Sequence, residues 1–122
     1  KNLELDFTKF INYHRKTIFH VFMIGFLPGL PFLGKMKHDF KIPRINSPRY
    51  NVAAGSVGIV DNLCVIYPNS SPGGWNIIGK TNIELFNLKK KNCSTILPGD
   101  KVKFIKVSKN KFQSLWKIIF IN

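Results

Sequence analysis

The 122-residue chain carries 19 Lys+Arg against 6 Asp+Glu, with 44% hydrophobic and 13% aromatic residues. That length gives one domain with a real core and excludes two ordinary ones, and the apolar share excludes disorder as the default state. The formal charge of +13 has two readings: a surface made for anionic partners, or a codon bias that scatters lysines on both sides of most apolar runs.

Leu3, Phe7, Phe10, Ile11 and His14 fall at helical spacing, with Glu4, Asp6, Lys9 and Asn12 opposite, which predicts an amphipathic helix over 3–14. His14 closes the apolar stripe, a place where a lone histidine is more often packed or capping than catalytic. Thr17–Ile24 is rich in β-branched and aromatic residues and predicts a buried strand. The next stretch, Gly25 to Gly34, mixes chain breakers with large apolar groups and predicts a tight, ordered loop. It reads either as a plug over the end of a sheet or as a pocket wall offering glycine N–H groups to a ligand. Gly25, Pro28, Gly29 and Pro31 also break the apolar run 18–34, so it is no membrane span. The chain begins at Lys1 without Met, which leaves room for an upstream segment.

Lys35–Tyr50 has no regular period, and Pro43 and Pro48 argue against a helix. It carries Arg44 and Arg49 in a chain that otherwise relies on lysine. An arginine fork matches carboxylate or phosphate in a way lysine cannot, although a pair of plain surface arginines gives the same pattern. The organising stretch is Asn51–Trp75. Two apolar runs, Ser56–Val60 and Leu63–Tyr67, joined by Asp61-Asn62, predict a β-hairpin whose link tolerates positive φ. Gly55 before it and Gly73-Gly74 after it allow close backbone approach, by a ligand or by a neighbouring strand.

Trp75–Gly79 and Ile83–Phe86 read as short strands, Asn87–Ser94 as an exposed loop, and Leu97–Asp100 as a turn. Lys101–Val107 reads as the last strand, with lysines on its exposed face, and 109–122 is amphipathic without a clear state. Cys64 sits in an apolar strand as a small core residue, and Cys93 is far from it. There is no CxxC or histidine cluster, so no metal site is expected, and reduced thiols point to the cytoplasm. No RNP-like strand or zinc-finger spacing accompanies the charge, which disfavours nucleic acid as a partner. Phosphate-loop, dinucleotide, HExxH and GxSxG motifs are all absent, and the acidic residues are mostly isolated. Ser56 has no base at a recognisable spacing. The residues alone therefore define a strand-rich domain with a Gly/Pro-lined pocket and two arginines, and no reaction.

Five segments occur in order and at matching spacing: GFLPGLPFLG (25–34), PRINSPR (43–49), AGSVGI (54–59), YPNSSPGGW (67–75) with IGKT (78–81), and LPGDKVKF (97–104). Together they resemble the B subunit of bacterial 5-oxoprolinase, the allophanate hydrolase subunit 1 and sporulation-kinase inhibitor family, over about residues 3–108. The resemblance implies a mainly β fold, a cyclophilin-like β-barrel with a short N-terminal helix. It divides the chain into 1–16, the helix left from a junction with a missing N-terminal domain, 17–108, the barrel, and 109–122, a C-terminal extension. It also implies two partners, a homologous C subunit plus a lactam-binding A subunit. With them come ATP used through the complex and opening of 5-oxoproline to glutamate.

The resemblance places a small-molecule site among Gly25, Phe26, Pro28, Gly29, Phe32, Arg44, Arg49, Gly55, Ser56, Tyr67, Ser71, Pro72, Gly73, Gly74 and Trp75. Arg44 and Arg49 would hold a carboxylate or phosphate, and the Gly55 and Ser56 N–H groups would stabilise developing negative charge. Trp75 and Phe32 would be apolar walls, and Arg44, Arg49 and Ser56 are the catalytic candidates. The chain departs from the family pattern at Arg44-Ile45, where a double arginine is usual, and at Ala53, where proline is usual. Leu63-Cys64-Val65 replaces Gln-Thr-Gly, which removes an amide and a hydroxyl. A truncated member is expected, whose fold survives better than its activity. The alternatives are a non-catalytic protein-binding module of the kinase-inhibitor kind, or an inactive relic.

Overall fold

A computed structural model describes residues 3–34, 36, 40–109 and 114–121. The chain runs α1 (Leu3–Lys16), β1 (Phe19–Ile24), β2 (Pro31–Gly34), β3 (Arg49–Val52), β4 (Ser56–Val60), β5 (Leu63–Ile66), β6 (Ser71–Gly73), β7 (Asn76–Thr81), β8 (Lys101–Lys109) and β9 (Ser114–Phe120). Seven strands close a barrel in the order β1-β2-β5-β4-β7-β9-β8, and β3 and β6 form a separate two-stranded sheet. The mainly β architecture with one short helix, a cyclophilin-like barrel, is as expected. None of the described helical residues forms a segment long and apolar enough to cross a membrane.

The helix is in place and ends in His14, Arg15 and Lys16, basic groups that suit its negative C-terminal end. The side chains at Leu3, Glu4, Asp6 and Phe7 lie outside the described residues, whereas Phe10 and His14 are fully buried against the barrel. β1 is shorter than the predicted strand and only half buried. Phe19 and Val21 face the core, while His20, Phe22 and Met23 face outward around a bulge at Val21/Met23.

Four further expectations are corrected. Pro31–Gly34 is not loop but a strand paired with β1 and β5, because Leu33 can enter the core there. Ser71–Gly73 and Arg49–Val52, for which no strand is predicted, pair with each other as a separate two-stranded sheet. Ile83–Phe86 is not a strand; Leu85 is buried and a single bridge joins Phe86 to Ser94. Lys101–Lys109 is not the last strand, since Ser114–Phe120 supplies β9, wedged between β7 and β8 inside the barrel. The stretch 109–122 is thus barrel as well as extension, its residues 110–113 and 122 lying outside those described.

The central hairpin forms as predicted, with Val60 opposite Leu63 and Asp61 at φ 53°. Its strands are apolar on both faces because both faces are covered. Val57, Ile59, Cys64 and Ile66 enter the barrel core, which also holds Phe19, Leu33, Val102, Phe104 and Trp116. Val65 and Tyr67 point the other way, into a second cluster with Leu30 and Val52 that Leu27, Phe32, Trp75 and Ile77 partly cover. That second cluster is the floor of the candidate site.

Gly55 fixes the entry to the hairpin. Its N–H donates to the Tyr67 carbonyl at 2.7 Å and its carbonyl accepts from the Thr81 N–H at 2.8 Å. Its φ is +86°, and a Cβ there would strike the Thr81 carbonyl oxygen. Gly99, at φ +94°, has open space around it. Gly55→Ala is expected to cost about 3 kcal/mol, the left-handed penalty plus the clash, and Gly99→Ala only about 1 kcal/mol. Urea unfolding of both variants checks this; equal losses would contradict it.

Candidate functional site

A cavity of about 180 Å³ opens on the outer face of the hairpin. Its floor is Leu30, Val65 and Tyr67, its walls are Phe32 and Trp75, and Phe26, Arg44, Gly73 and Gly74 form the rim. The predicted residues Phe26, Phe32, Arg44, Tyr67, Gly73, Gly74 and Trp75 therefore converge. Leu30 and Val65 are additions to the predicted set, although Val65 stands where the resemblance expects glycine.

Trp75 is the centre of this arrangement. Gly58 lies beneath it, where a Cβ would come within 2.9 Å of the Trp75 Cβ, so the indole packs directly on the sheet. Its backbone is hydrogen-bonded to the Tyr67 hydroxyl. Arg49 Nη1 donates to its carbonyl at 3.1 Å. The Arg44 guanidinium lies 5.4 Å from the indole centroid, a cation–π contact worth about 0.5–1 kcal/mol at an exposed site. Gly73 is glycine for a related reason: a Cβ there would collide with the Tyr67 hydroxyl.

Arg44 belongs to a segment without secondary structure, yet that segment is tied down residue by residue. Ile42 N–H donates to Asp61 Oδ1 at 2.9 Å, and Asp61 N–H returns to the Ile42 carbonyl at 2.7 Å. Asn76 Nδ2 donates to the Pro43 carbonyl at 2.8 Å and to the Ile59 carbonyl at 3.1 Å. Ile45 N–H donates to the Gly74 carbonyl at 2.9 Å. Asp61 and Asn76 are thus positioning residues that sequence reasoning missed. The hairpin signal marks Asp61 only as a turn residue, and no local signal marks Asn76.

The other predicted site residues lie elsewhere. Gly55 and Ser56 are buried in the sheet, and their N–H groups already donate to Tyr67 and Ala53, so they are not free to stabilise a developing charge. Ser56 also has no general base beside it among the described residues. Gly25 N–H donates to the Leu30 carbonyl at 3.1 Å and closes the loop rather than facing a ligand. Gly29 is buried against Leu85 and Phe86. Pro28 and Pro72 are exposed, and Ser71 Oγ bonds the Pro72 carbonyl at 3.2 Å. Arg49 acts on Trp75 rather than on the cavity.

Among the described residues that line the cavity, only Arg44 and Tyr67 carry ionisable groups. Burial pushes the Tyr67 phenol above its usual range, partly opposed by the bond to the Trp75 backbone and by the charges of Arg44 and Arg49. It therefore stays protonated near neutral pH. Among the described residues no carboxylate pairs with Arg44, and no group of three or more His, Cys, Asp or Glu could hold a metal. The site can hold an anion against an apolar wall. The described residues that line it include no carboxylate, histidine, cysteine or serine.

A second constellation invites a catalytic reading and does not support it. His14 Nε2 lies 3.4 Å from Cys64 Sγ, the spacing of an activated thiol pair. Both are fully buried, His14 among the rings of Phe10, Phe19, Phe104 and Trp116. Burial lowers the His14 pKa to about 3 and pushes the Cys64 thiol up, so both are neutral and the pair is core.

The fold and site place the chain among cyclophilin-like barrels with an outer-face pocket. Residues 1–96 match the carboxyltransferase domain family, subdomains C and D, and the chain belongs to that family. It is 41% identical over 104 residues to the 5-oxoprolinase B subunit of Bacillus subtilis, covering 85% of this chain and 43% of that protein. It is 44% identical over 97 residues to the 5-oxoprolinase B subunit of Haemophilus influenzae, covering 80% and 46%. A conserved uncharacterized protein of Pyrococcus horikoshii has a similar crystal structure, with TM-score 0.76 and 42% identity over 86% of this chain and 49% of that one. The chain spans less than half the length of the curated relatives it matches.

The His14 environment sets an acid sensitivity. The folded-state pKa is about 3, below the ordinary 6.5, so the unfolded chain binds the proton first and stability falls as pH drops below 6.5. Between pH 7 and pH 5 this one group should remove about 2 kcal/mol. His14→Phe, which keeps an aromatic ring in place, should lose that part of the slope in thermal unfolding at the two pH values. An unchanged slope would contradict a neutral buried imidazole.

Proposed function

We propose that the chain is part of an ATP-dependent, amide-opening complex of the 5-oxoprolinase or allophanate hydrolase kind. In this reading it supplies a small-anion pocket. Two partners, a homologous C subunit plus a lactam-binding A subunit, complete the chemistry. The observation that carries it is Arg44: a guanidinium fixed on Trp75 at the rim of an apolar cavity, with no carboxylate partner among the described residues. 5-Oxoproline offers one carboxylate for that fork and a compact ring for the space between Phe32 and Trp75. Tyr67, protonated, can donate to a lactam or carboxyl oxygen.

ATP does not fit this pocket. About 180 Å³ and one guanidinium at the rim suit a small anion and fall below the usual size of a site for a nucleotide. Nucleotide use belongs, in this reading, to the assembled complex, and the chain binds and orients substrate through Arg44 and Tyr67.

A second reading, a protein-binding module without catalysis, is favoured by the apolar surface beside the pocket. Phe22, Met23 and Phe26 are 53%, 43% and 76% exposed, more than a solvated edge needs. The test is co-elution with a homologue of the C subunit from the same genome, followed by 5-oxoproline-dependent ATP hydrolysis with the lactam-binding partner present. The expected result is turnover whose KM for 5-oxoproline rises about tenfold or more in Arg44→Ala, a loss of roughly 1.4 kcal/mol or more. Assembly without turnover would favour the binding module, and turnover indifferent to Arg44→Ala would remove the pocket's role.

A further inference from the structure

The loop between β1 and β2 carries two costs that nothing within the described chain offsets. Leu27 N–H donates to the Gly25 carbonyl at 2.7 Å across a single residue, Phe26, whose φ is +68°. A bond from i to i+2 at positive φ makes the rare, strained kind of γ-turn, which glycine tolerates and a residue with a Cβ does not. The other positive-φ positions among the described residues are Gly29, Gly55, Gly99 and the turn residue Asp61, all types suited to that region. The second cost is exposure. The Phe26 ring is 76% exposed, so in the free chain its burial does not compensate the strain.

Both costs fall at the mouth of the Trp75 cavity, which Phe26 lines. Of the other rim residues, Gly73 and Gly74 have no side chain, and the Arg44 guanidinium lies over the indole. Phe26 is therefore the apolar side chain of the described rim that can cover what the cavity holds. The backbone beneath it is fixed. Gly25 N–H donates to the Leu30 carbonyl at 3.1 Å, and Leu30 N–H donates to the Leu27 carbonyl at 3.1 Å. Covering the mouth thus needs rotation about only the two side-chain torsions of Phe26, a small loss of conformational freedom.

From a strained, exposed aromatic residue at the mouth of an apolar cavity, we infer that Phe26 is the specificity lid of the pocket. Its ring turns onto a small ring-bearing carboxylate held by Arg44 between Phe32 and Trp75, and so selects it over anions without a ring. Burial of the Phe26 ring against the ligand then offsets, in the bound state alone, the strain of the turn that presents it. The inference rests on the reading of the cavity as a small-anion pocket, and not on 5-oxoproline being the anion.

The test pairs urea unfolding with calorimetric titration of the wild-type chain, Phe26→Gly and Phe26→Ala. Three probes are used: 5-oxoproline, cyclopentanecarboxylate and acetate. Phe26→Gly relieves the turn and should raise the folding equilibrium constant about fivefold or more, while its affinity for the two ring acids falls at least fivefold. Phe26→Ala keeps the strain and should lose the same affinity without that gain in stability. Acetate, which offers no ring to cover, should bind the three proteins equally. A stabilised variant that binds ring acids less well cannot be explained by damage to the fold. Ring-acid affinity unchanged in Phe26→Gly would overturn the lid and leave the pocket standing. A destabilised Phe26→Gly, or an equal fall in acetate affinity, would also overturn it. Binding of cyclopentanecarboxylate that depends on Phe26, without binding of 5-oxoproline, would support the lid and remove 5-oxoproline as the substrate. No saturable binding of either ring acid to the wild-type chain would overturn both.

Discussion

The site depends on a stretch of irregular backbone being held as firmly as a strand. The segment around Arg44 has no ladder of its own, so its peptide groups must be satisfied one at a time. Asp61 does this from the hairpin turn, and Asn76 does it from the start of β7, bonding the Pro43 and Ile59 carbonyls together. Gly74 receives the Ile45 N–H. These bonds fix the backbone that places the Arg44 guanidinium over Trp75, and Arg49 anchors Trp75 by donating to its carbonyl. A binding group carried on a loop becomes selective only when its supports are rigid, and here the supports are the barrel strands themselves.

The barrel can provide such supports because β4 and β5 are buried on both faces. Their inner residues share the barrel core with the aromatic cage around His14, and their outer residues make a separate cluster beneath the pocket. Glycine at position 58 lets Trp75 and Tyr67 sit on the sheet without an intervening side chain. The two clusters also divide the roles. The inner one contains the neutral His14–Cys64 pair and is structural, whereas the outer one opens to solvent beside a fixed cation.

Much of this was legible in the sequence, and the failures have physical causes. The hairpin could be read because two β-branched runs flank an Asx link, a local signal that needs no tertiary context. The helix could be read through Phe10, Ile11 and His14. β6 could not, since Ser71-Pro72-Gly73 has turn composition and becomes extended only by pairing with β3. β9 could not either, because SLWKIIF suits helix and strand equally and its parallel partner lies far upstream. At the site, the resemblance led to Phe32, Arg44, Tyr67 and Trp75. It also suggested Gly55 and Ser56, whose amides are spent on the sheet. Long-range positioning by Asn76 leaves no mark on the neighbouring residues.

The central claim is that the Arg44–Trp75 pocket selects its ligand by a carboxylate. Calorimetric titration of the folded chain with 5-oxoproline and with 2-pyrrolidinone, the same ring without the carboxylate, tests it directly. Saturable binding of 5-oxoproline, with none by 2-pyrrolidinone, is the predicted result. Equal binding of the two, or no binding of either, would contradict it.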